Sequence, residues 1–243
     1  MVFFLVFFLE LAILFAFSQV LPRRIHAITY QITKSQSVAT SFVSILLFPG
    51  TIVHELSHLI VAEVLGVRTG TLSLVPEAIE DQEGQLRTGS VTIAHTDPIR
   101  RALIGIAPLG LGLLILTSLS YLTTIWFPQG WKNLVPPEGE WLQVFQLALM
   151  SYLFFAISNT MFSSPEDLKG FVPLVITLFF FAGAGYVAGV RISITGQAQT
   201  IITTMASTLV KSLGGVLAVN GVLLLVLKIL LGVMGKFRNF AGR

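Results

Sequence analysis

The chain has 243 residues, of which 54% are hydrophobic and 11% are charged, whereas an ordinary soluble domain carries about 25% charged residues. This composition, with a mean hydropathy of +0.84, excludes a single soluble core and predicts an integral membrane protein. The net charge is +3, and the basic residues form no stripe among aromatic residues, which argues against a nucleic-acid partner. The absence of cysteine excludes disulfides and thiolate metal ligands.

Six apolar blocks approach the roughly 20 residues that a helix needs to cross a bilayer. They predict an all-α polytopic membrane protein with about six transmembrane helices, in a prokaryotic cytoplasmic membrane or an organelle membrane. The first block has no basic residue before it and no cleavage site after it, so we interpret it as a retained helix rather than a signal peptide. The blocks are residues 2–21, 38–67, 99–127, 141–161, 171–190 and 213–234.

Two polar connections carry local structure of their own. Residues 68–97 contain two Thr- and Val-rich stretches on either side of an acidic loop, which predicts a small β-hairpin with strands in 69–75 and 86–95. Residues 192–212 carry an apolar side chain at every fourth position from Ile201 onward, which predicts a helix along the membrane surface. We divide the chain into an N-terminal helix with its polar connection (1–37), a core (38–170) and two C-terminal helices with the surface segment (171–243).

The second apolar block contains His54-Glu55-Leu56-Ser57-His58, an H-E-x-x-H pattern. On a helix the two histidines are offset by only ~40°, so both imidazoles leave one face and can share a zinc ion. Glu55 is offset from His58 by ~60°, which places its carboxylate beside the metal, where it can take a proton from zinc-bound water. Two histidines and a glutamate among apolar neighbours are costly to bury unless they are partnered. A bound Zn²⁺ is the partner that the pattern predicts.

A catalytic zinc ion usually takes three protein ligands and leaves one position for water, so a third ligand must come from elsewhere. Glu63 lies half a turn from His54 and faces away. Two other candidates are histidines in polar connections, and nothing in the sequence fixes them near the site. Two more are carboxylates after the fourth block, where serines and a proline break the helix in a way that suits a cavity lining. These four candidates are His26, His95, Glu166 and Asp167.

The segment TIVHELSHLIVAEVLGV, residues 51–67, resembles the zinc-binding helix of the site-2 protease family of intramembrane metalloproteases. That family takes its third ligand from a second motif, N-x-x-P-x-x-x-x-D-G. In this chain Asn159 and Asp167 stand at the same separation of eight residues. Phe162 replaces the proline of the motif, and Gly170 follows the aspartate by three residues instead of one.

The resemblance extends over about residues 38–170. The hairpin after the zinc helix belongs to it, and Ala107-Pro108-Leu109-Gly110 resembles the start of the next family helix. Many family members carry an inserted PDZ domain, for which this chain has no room.

The implied function is hydrolysis of peptide bonds in membrane-protein substrates within the lipid bilayer, with Zn²⁺ as cofactor. Glu55 is then the general base, Asn159 holds the substrate backbone, and Glu166 is the alternative to Asp167. The residues assigned to the metal are His54, His58 and Asp167. Two alternatives stay open: a non-proteolytic membrane metal-binding protein, such as a transporter or scaffold, and a zinc hydrolase that acts on a small amphiphile.

Overall fold

A computed structural model describes residues 2–73, 90–93, 96–126, 141–162, 171–189 and 195–241 of the chain. These residues form six helices and two short strands, so the fold is mainly helical, as predicted. The helices are α1 (Val2–Thr33), α2 (Gln36–Val64), α3 (Pro98–Trp126), α4 (Trp141–Thr160), α5 (Phe171–Val187) and α6 (Gln197–Ala241), and the strands are β1 (Thr69–Ser73) and β2 (Ser90–Ile93).

Among the described residues, five stretches of helix are long and apolar enough to cross a membrane. This finding supports the prediction of a multi-pass membrane protein. The predicted block 171–190 contains α5, which is not among the five because it has only 17 residues. A helix of that length spans about 25 Å, less than the ~30 Å of a bilayer core. The candidate spans are Leu5–Thr33, Gln36–Val64, Pro98–Thr123, Trp141–Thr160 and Gln197–Val233.

Helix α1 continues past the predicted first block, through residues expected to form a polar connection. The threonines of its last turns are compatible with a helix, because the hydroxyls of Thr29 and Thr33 donate to carbonyls four residues earlier. The helix ends at Thr33, and the positive φ of 56° at Lys34 reverses the chain. Ser35 then caps α2, since its hydroxyl accepts a hydrogen bond from the Val38 backbone N–H. The polar connection is therefore a tight turn between two long helices.

Helix α6 joins two segments that the sequence separates. The predicted surface segment and the last apolar block form one continuous helix from Gln197 to Ala241. The threonines and serines of its first half stay compatible with a helix because their hydroxyls donate to carbonyls of the preceding turn, as Thr203, Thr208 and Ser212 do. The polarity near residue 212 consequently marks no break in the helix.

Two apolar clusters at successive levels pack the helices together. The first includes Leu14 of α1 with Leu213 and Val216 of α6. The second cluster includes Leu21 of α1, and Leu223, Leu224 and Leu227 of α6 pack against this cluster. Because the residue numbers rise in both helices from the first cluster to the second, α1 and α6 run in the same direction. If six helices each crossed the membrane once in alternating directions, the first and the sixth would be antiparallel. The parallel packing of α1 and α6 therefore departs from that simple topology.

A Schellman motif at the end of α2 turns the chain from this helix into the strand region. Gly66 has a positive φ of 67°, and its N–H donates to the Glu63 carbonyl while the Val67 N–H donates to that of Ala62. Strands β1 and β2 then pair antiparallel, with Leu72 opposite Val91 and an irregular register between Thr69 and Leu72. Residues 74–89, which connect them, lie outside the described residues, so the hairpin as a whole stays a prediction.

Candidate metal centre

The structure brings together the two histidines of the H-E-x-x-H pattern. They lie one turn apart on α2, their Nε2 atoms are 3.3 Å apart, and their rings meet edge to face at 78°. This is the arrangement expected for residues separated by four positions on a helix. The two predicted nitrogen ligands therefore face a common point.

A backbone carbonyl fixes the tautomer of each imidazole. His54 Nδ1 lies 2.6 Å from the Thr160 carbonyl oxygen, and His58 Nδ1 lies 2.8 Å from that of Ile104. A carbonyl can only accept, so each Nδ1 carries the proton and donates it. In a neutral imidazole Nε2 is then the acceptor nitrogen. Metal-binding histidines in general are oriented by such a bond from the other ring nitrogen.

Both carbonyls are available because neither serves a regular helical hydrogen bond. Thr160 is the last residue of α4, where the final carbonyls have no intrahelical partner. Ile104 lies inside α3, and the N–H that would reach its carbonyl belongs to the residue four positions later. That residue is Pro108, which has no N–H. The proline of the Ala107-Pro108-Leu109-Gly110 sequence thus keeps the Ile104 carbonyl available to accept a hydrogen bond from His58.

For the zinc site that the sequence predicts, we expect Pro108→Ala to weaken metal binding, while the loss of its fully buried ring offsets the stability gained by removing a helix-interior proline. Alanine restores an N–H that competes with His58 for the Ile104 carbonyl, and loss of such an outer-shell contact typically costs 10- to 100-fold in metal affinity. The substitution also removes a helix-interior proline, which in general destabilises a helix. Zinc titration against a chelator and thermal unfolding without zinc measure the two effects. Unchanged zinc affinity would show that the carbonyl does not orient His58.

Gly50 allows α4 to come close to the site. It lies one turn before His54, and a Cβ atom at this position would collide with the Ala156 carbonyl oxygen and the Thr160 hydroxyl. Two helices can approach this closely only where one lacks a side chain. The contact sets the distance from α2 to the end of α4, and so brings the Thr160 carbonyl within reach of His54.

The pattern presents its ionisable side chains to the helix bundle rather than to its surroundings. His58 is 4% exposed and Glu55 is 5% exposed, whereas Leu56, Ile60 and Val64 of the same helix are exposed. Ionisable groups inside a membrane helix normally face the bundle interior and mark functional sites. Ser57 is also buried, and its hydroxyl donates to the Val53 carbonyl. Among the ionisable side chains of α2, Glu55 and His58 are therefore the buried ones.

The structure describes only some of the residues that the sequence suggests as the third metal ligand. Asp167, Glu166 and His95 lie outside the described residues. Glu63 is exposed and accepts a hydrogen bond from the Thr69 hydroxyl, which agrees with the prediction that it faces away. His26 lies within α1, next to Ile25, which packs against a cluster that includes Val43 and Leu47. Leu47 lies about 10 Å and Val43 about 16 Å before His54 along α2, so this placement argues against His26 as a ligand.

No group of three His, Asp or Glu side chains that could hold a metal ion occurs within the described ranges. Within these ranges the H-E-x-x-H pattern contributes two histidine nitrogens that lie 3.3 Å apart. The assignment of Asp167 as the third metal ligand stays a prediction.

Asn159, the predicted substrate-binding residue, is buried beside α6. Its Nδ2 donates to the Phe155 carbonyl and to Oδ1 of Asn220, each at 2.8 Å. Its own Oδ1 is buried and has no hydrogen-bond partner among the described residues. Sequence reasoning missed Asn220, although an asparagine in the middle of an apolar block is itself a signal for a buried polar contact.

The geometry of the two histidines fits a dication. Tetrahedral zinc at 2.0–2.1 Å from each nitrogen requires a separation of about 3.3 Å between two ligand nitrogens. The Nε2 atoms are 3.3 Å apart. Two acceptor nitrogens at this distance repel each other unless a cation or a proton lies between them. Imidazole nitrogens in a chain without cysteine are donors that suit zinc, copper, iron and nickel.

Comparison with known proteins identifies no family for this chain. No family model matches it, and neither a curated protein nor a solved structure matches it significantly. The resemblance to the site-2 protease family accordingly depends on the motifs in residues 51–67 and 159–170.

Proposed function

We propose that the chain is an intramembrane zinc metalloprotease that hydrolyses peptide bonds of membrane-protein substrates. The observation that carries the proposal is the histidine pair on α2, with Nε2 atoms 3.3 Å apart and both Nδ1 atoms bonded to carbonyls. The buried Glu55 within the same H-E-x-x-H pattern adds a base, and the apolar bundle around it supports chemistry inside a membrane. The resemblance of residues 51–67 to the site-2 protease family supports the same conclusion.

In this proposal His54 and His58 hold zinc together with Asp167. The end of α4 is already at the site, since the Thr160 carbonyl accepts a hydrogen bond from His54. The segment with Asp167 begins directly after α4, and a span of seven residues is ample for a carboxylate to return to the histidines. Glu166 is the alternative ligand because it is adjacent in sequence.

The bound metal would polarise the scissile carbonyl and lower the pKa of a water molecule. Glu55 takes the proton from that water onto its carboxylate and passes it to the leaving amine. The Oδ1 atom of Asn159 is a buried acceptor without a partner in the described part of the chain, which suits a hydrogen bond from a substrate backbone N–H. The amide of Asn159 is meanwhile held by Asn220.

A substrate helix must unwind before its peptide bond can reach the metal. Strand β2 follows the zinc helix in sequence and pairs with β1. In the described part of the chain the sheet has two strands, so each strand has one edge that is not paired within it. An unwound substrate segment can add to such an edge through main-chain hydrogen bonds.

The test is proteolysis by the purified protein in liposomes, with a panel of single-span membrane peptides as substrates. We expect cleavage that a chelator abolishes and zinc restores. Glu55→Gln should lower the rate by about 10²- to 10⁴-fold, because it removes the general base and keeps the shape of the side chain. Glu63→Gln is the matched control, since Glu63 is an exposed glutamate on the same helix and should keep the wild-type rate.

Cleavage by Glu55→Gln at the wild-type rate would exclude this mechanism. Zinc flux into liposomes that survives Glu55→Gln would favour a transporter. Hydrolysis of lipid amphiphiles but not of peptides would favour a zinc hydrolase with small substrates.

A further inference from the structure

A buried polar network joins α4 to α6 close to the metal centre. It consists of Ser158 and Asn159, at the end of α4, and Asn220, in the middle of α6. These residues are 1%, 8% and 0% exposed. Such groups are expensive in an apolar bundle unless each finds a hydrogen-bond partner. The contacts they make therefore determine how the two helices can pack.

The three side chains form a connected set of hydrogen bonds. Asn159 Nδ2 donates to Oδ1 of Asn220 at 2.8 Å, and Asn220 Nδ2 donates to Oγ of Ser158 at the same distance. The Ser158 hydroxyl donates in turn to the Phe155 carbonyl. A flipped Asn159 amide would place its oxygen against that same carbonyl, so the orientation follows from the network. Asn220 thus forms hydrogen bonds with two consecutive residues of α4.

The next residue in the chain connects this network to the metal centre. Thr160 follows Asn159, and its carbonyl accepts the hydrogen bond of His54. The end of a helix frays easily unless tertiary contacts hold it. We propose that Asn220 is a positioning residue of the metal centre: through Ser158 and Asn159 it holds the end of α4 where the Thr160 carbonyl orients the His54 imidazole. This inference rests on the proposed function, because it assumes that His54 binds zinc.

The test compares zinc affinity and stability in variants of the full chain. Asn220→Leu keeps the approximate volume and removes both hydrogen bonds, so we expect zinc affinity to fall by roughly 10-fold or more, as for other outer-shell contacts. Asn220→Asp is the conservative variant. Its carboxyl group stays protonated in an apolar site, where it can still accept from Asn159 and donate to Ser158, so zinc affinity should stay close to wild type. Competition against a chromophoric chelator gives the affinity.

The matched control is Ser212→Ala. Ser212 is buried in the same helix, but its hydroxyl donates only within α6, to the Thr208 carbonyl, so its loss should leave zinc affinity unchanged. Thermal unfolding of each protein without zinc separates positioning from stability. A purely structural role predicts that Asn220→Leu lowers the unfolding temperature and binds zinc as tightly as wild type, and that result would overturn the inference.

Asn220→Ala provides the same comparison if the leucine variant does not fold, since it removes both hydrogen bonds without placing a large apolar group against Asn159. Wild-type zinc affinity in this variant also overturns the inference. In both cases the proposed metal site survives, because the wild-type protein still binds zinc. If the wild-type protein itself binds no zinc, the proposed function and the inference both fail.

Discussion

Gly50→Ala should lose both stability and zinc affinity. The added Cβ meets the Ala156 carbonyl oxygen, which belongs to the backbone of α4 and cannot rotate away. Helix α4 must therefore move outward, and overpacking of this kind typically costs about 1–3 kcal/mol. The displacement also carries the Thr160 carbonyl away from His54, so we expect a further loss of roughly 10- to 100-fold in zinc affinity. Thermal unfolding and zinc competition measure these two effects.

Gly215→Ala is the matched control for this substitution. Gly215 lies inside α6, and a Cβ there would meet nothing within 4 Å beyond its own helix backbone and its chain neighbours. In a helix interior alanine is favoured over glycine by about 1 kcal/mol, so this variant should be as stable as wild type or more stable. Its zinc affinity should not change. Equal behaviour of the two variants would mean that the contact at Gly50 does not define the site.

Asp167→Ala should reduce zinc affinity more than any substitution of an outer-shell residue. It removes one of three proposed protein ligands and the negative charge that balances the ion within an apolar bundle. The loss should exceed the roughly 100-fold upper range of outer-shell substitutions. Zinc competition with purified protein measures it, without the need for a substrate.

Glu166→Ala is the adjacent carboxylate control. If Asp167 is the ligand, Glu166→Ala keeps its zinc affinity. The opposite outcome, a large loss in Glu166→Ala alone, would transfer the role to Glu166. Wild-type affinity in both variants would show that the third ligand lies elsewhere and that the second motif is not a metal motif in this chain.

Much of the secondary structure follows from the sequence because hydrophobic blocks have a length fixed by the bilayer. The blocks that became α2, α3 and α4 were placed within a few residues of their observed bounds. The extent of α1 and α6 was not predicted, since polar residues in a helix end resemble a connection. The hydroxyls of Thr29 and Thr203 donate to carbonyls of their own helices. The local sequence pattern does not show whether such a threonine lies in a helix end or in a polar loop.

The direction of α6 could not be predicted either. Counting apolar blocks assumes that each crosses once, and this assumption makes α1 and α6 antiparallel. In the structure both helices share two apolar clusters in the same order, and α5 is short. Packing between helices distant in sequence determines the direction of α6 relative to α1, and hydrophobic periodicity carries no information about that direction.

By itself the sequence determined that His54 and His58 share one face of an apolar helix, because a spacing of four residues is a property of the helix alone. The tertiary structure decided how the two rings are held. The carbonyls of Thr160 and Ile104 orient them, Gly50 admits α4, and Asn220 anchors its end. The contact between His54 and Thr160 joins residues 106 positions apart, and such contacts depend on helix packing rather than on local spacing. The H-E-x-x-H pattern thus indicates which residues face the proposed ion, and the surrounding helices set the geometry that would bind it.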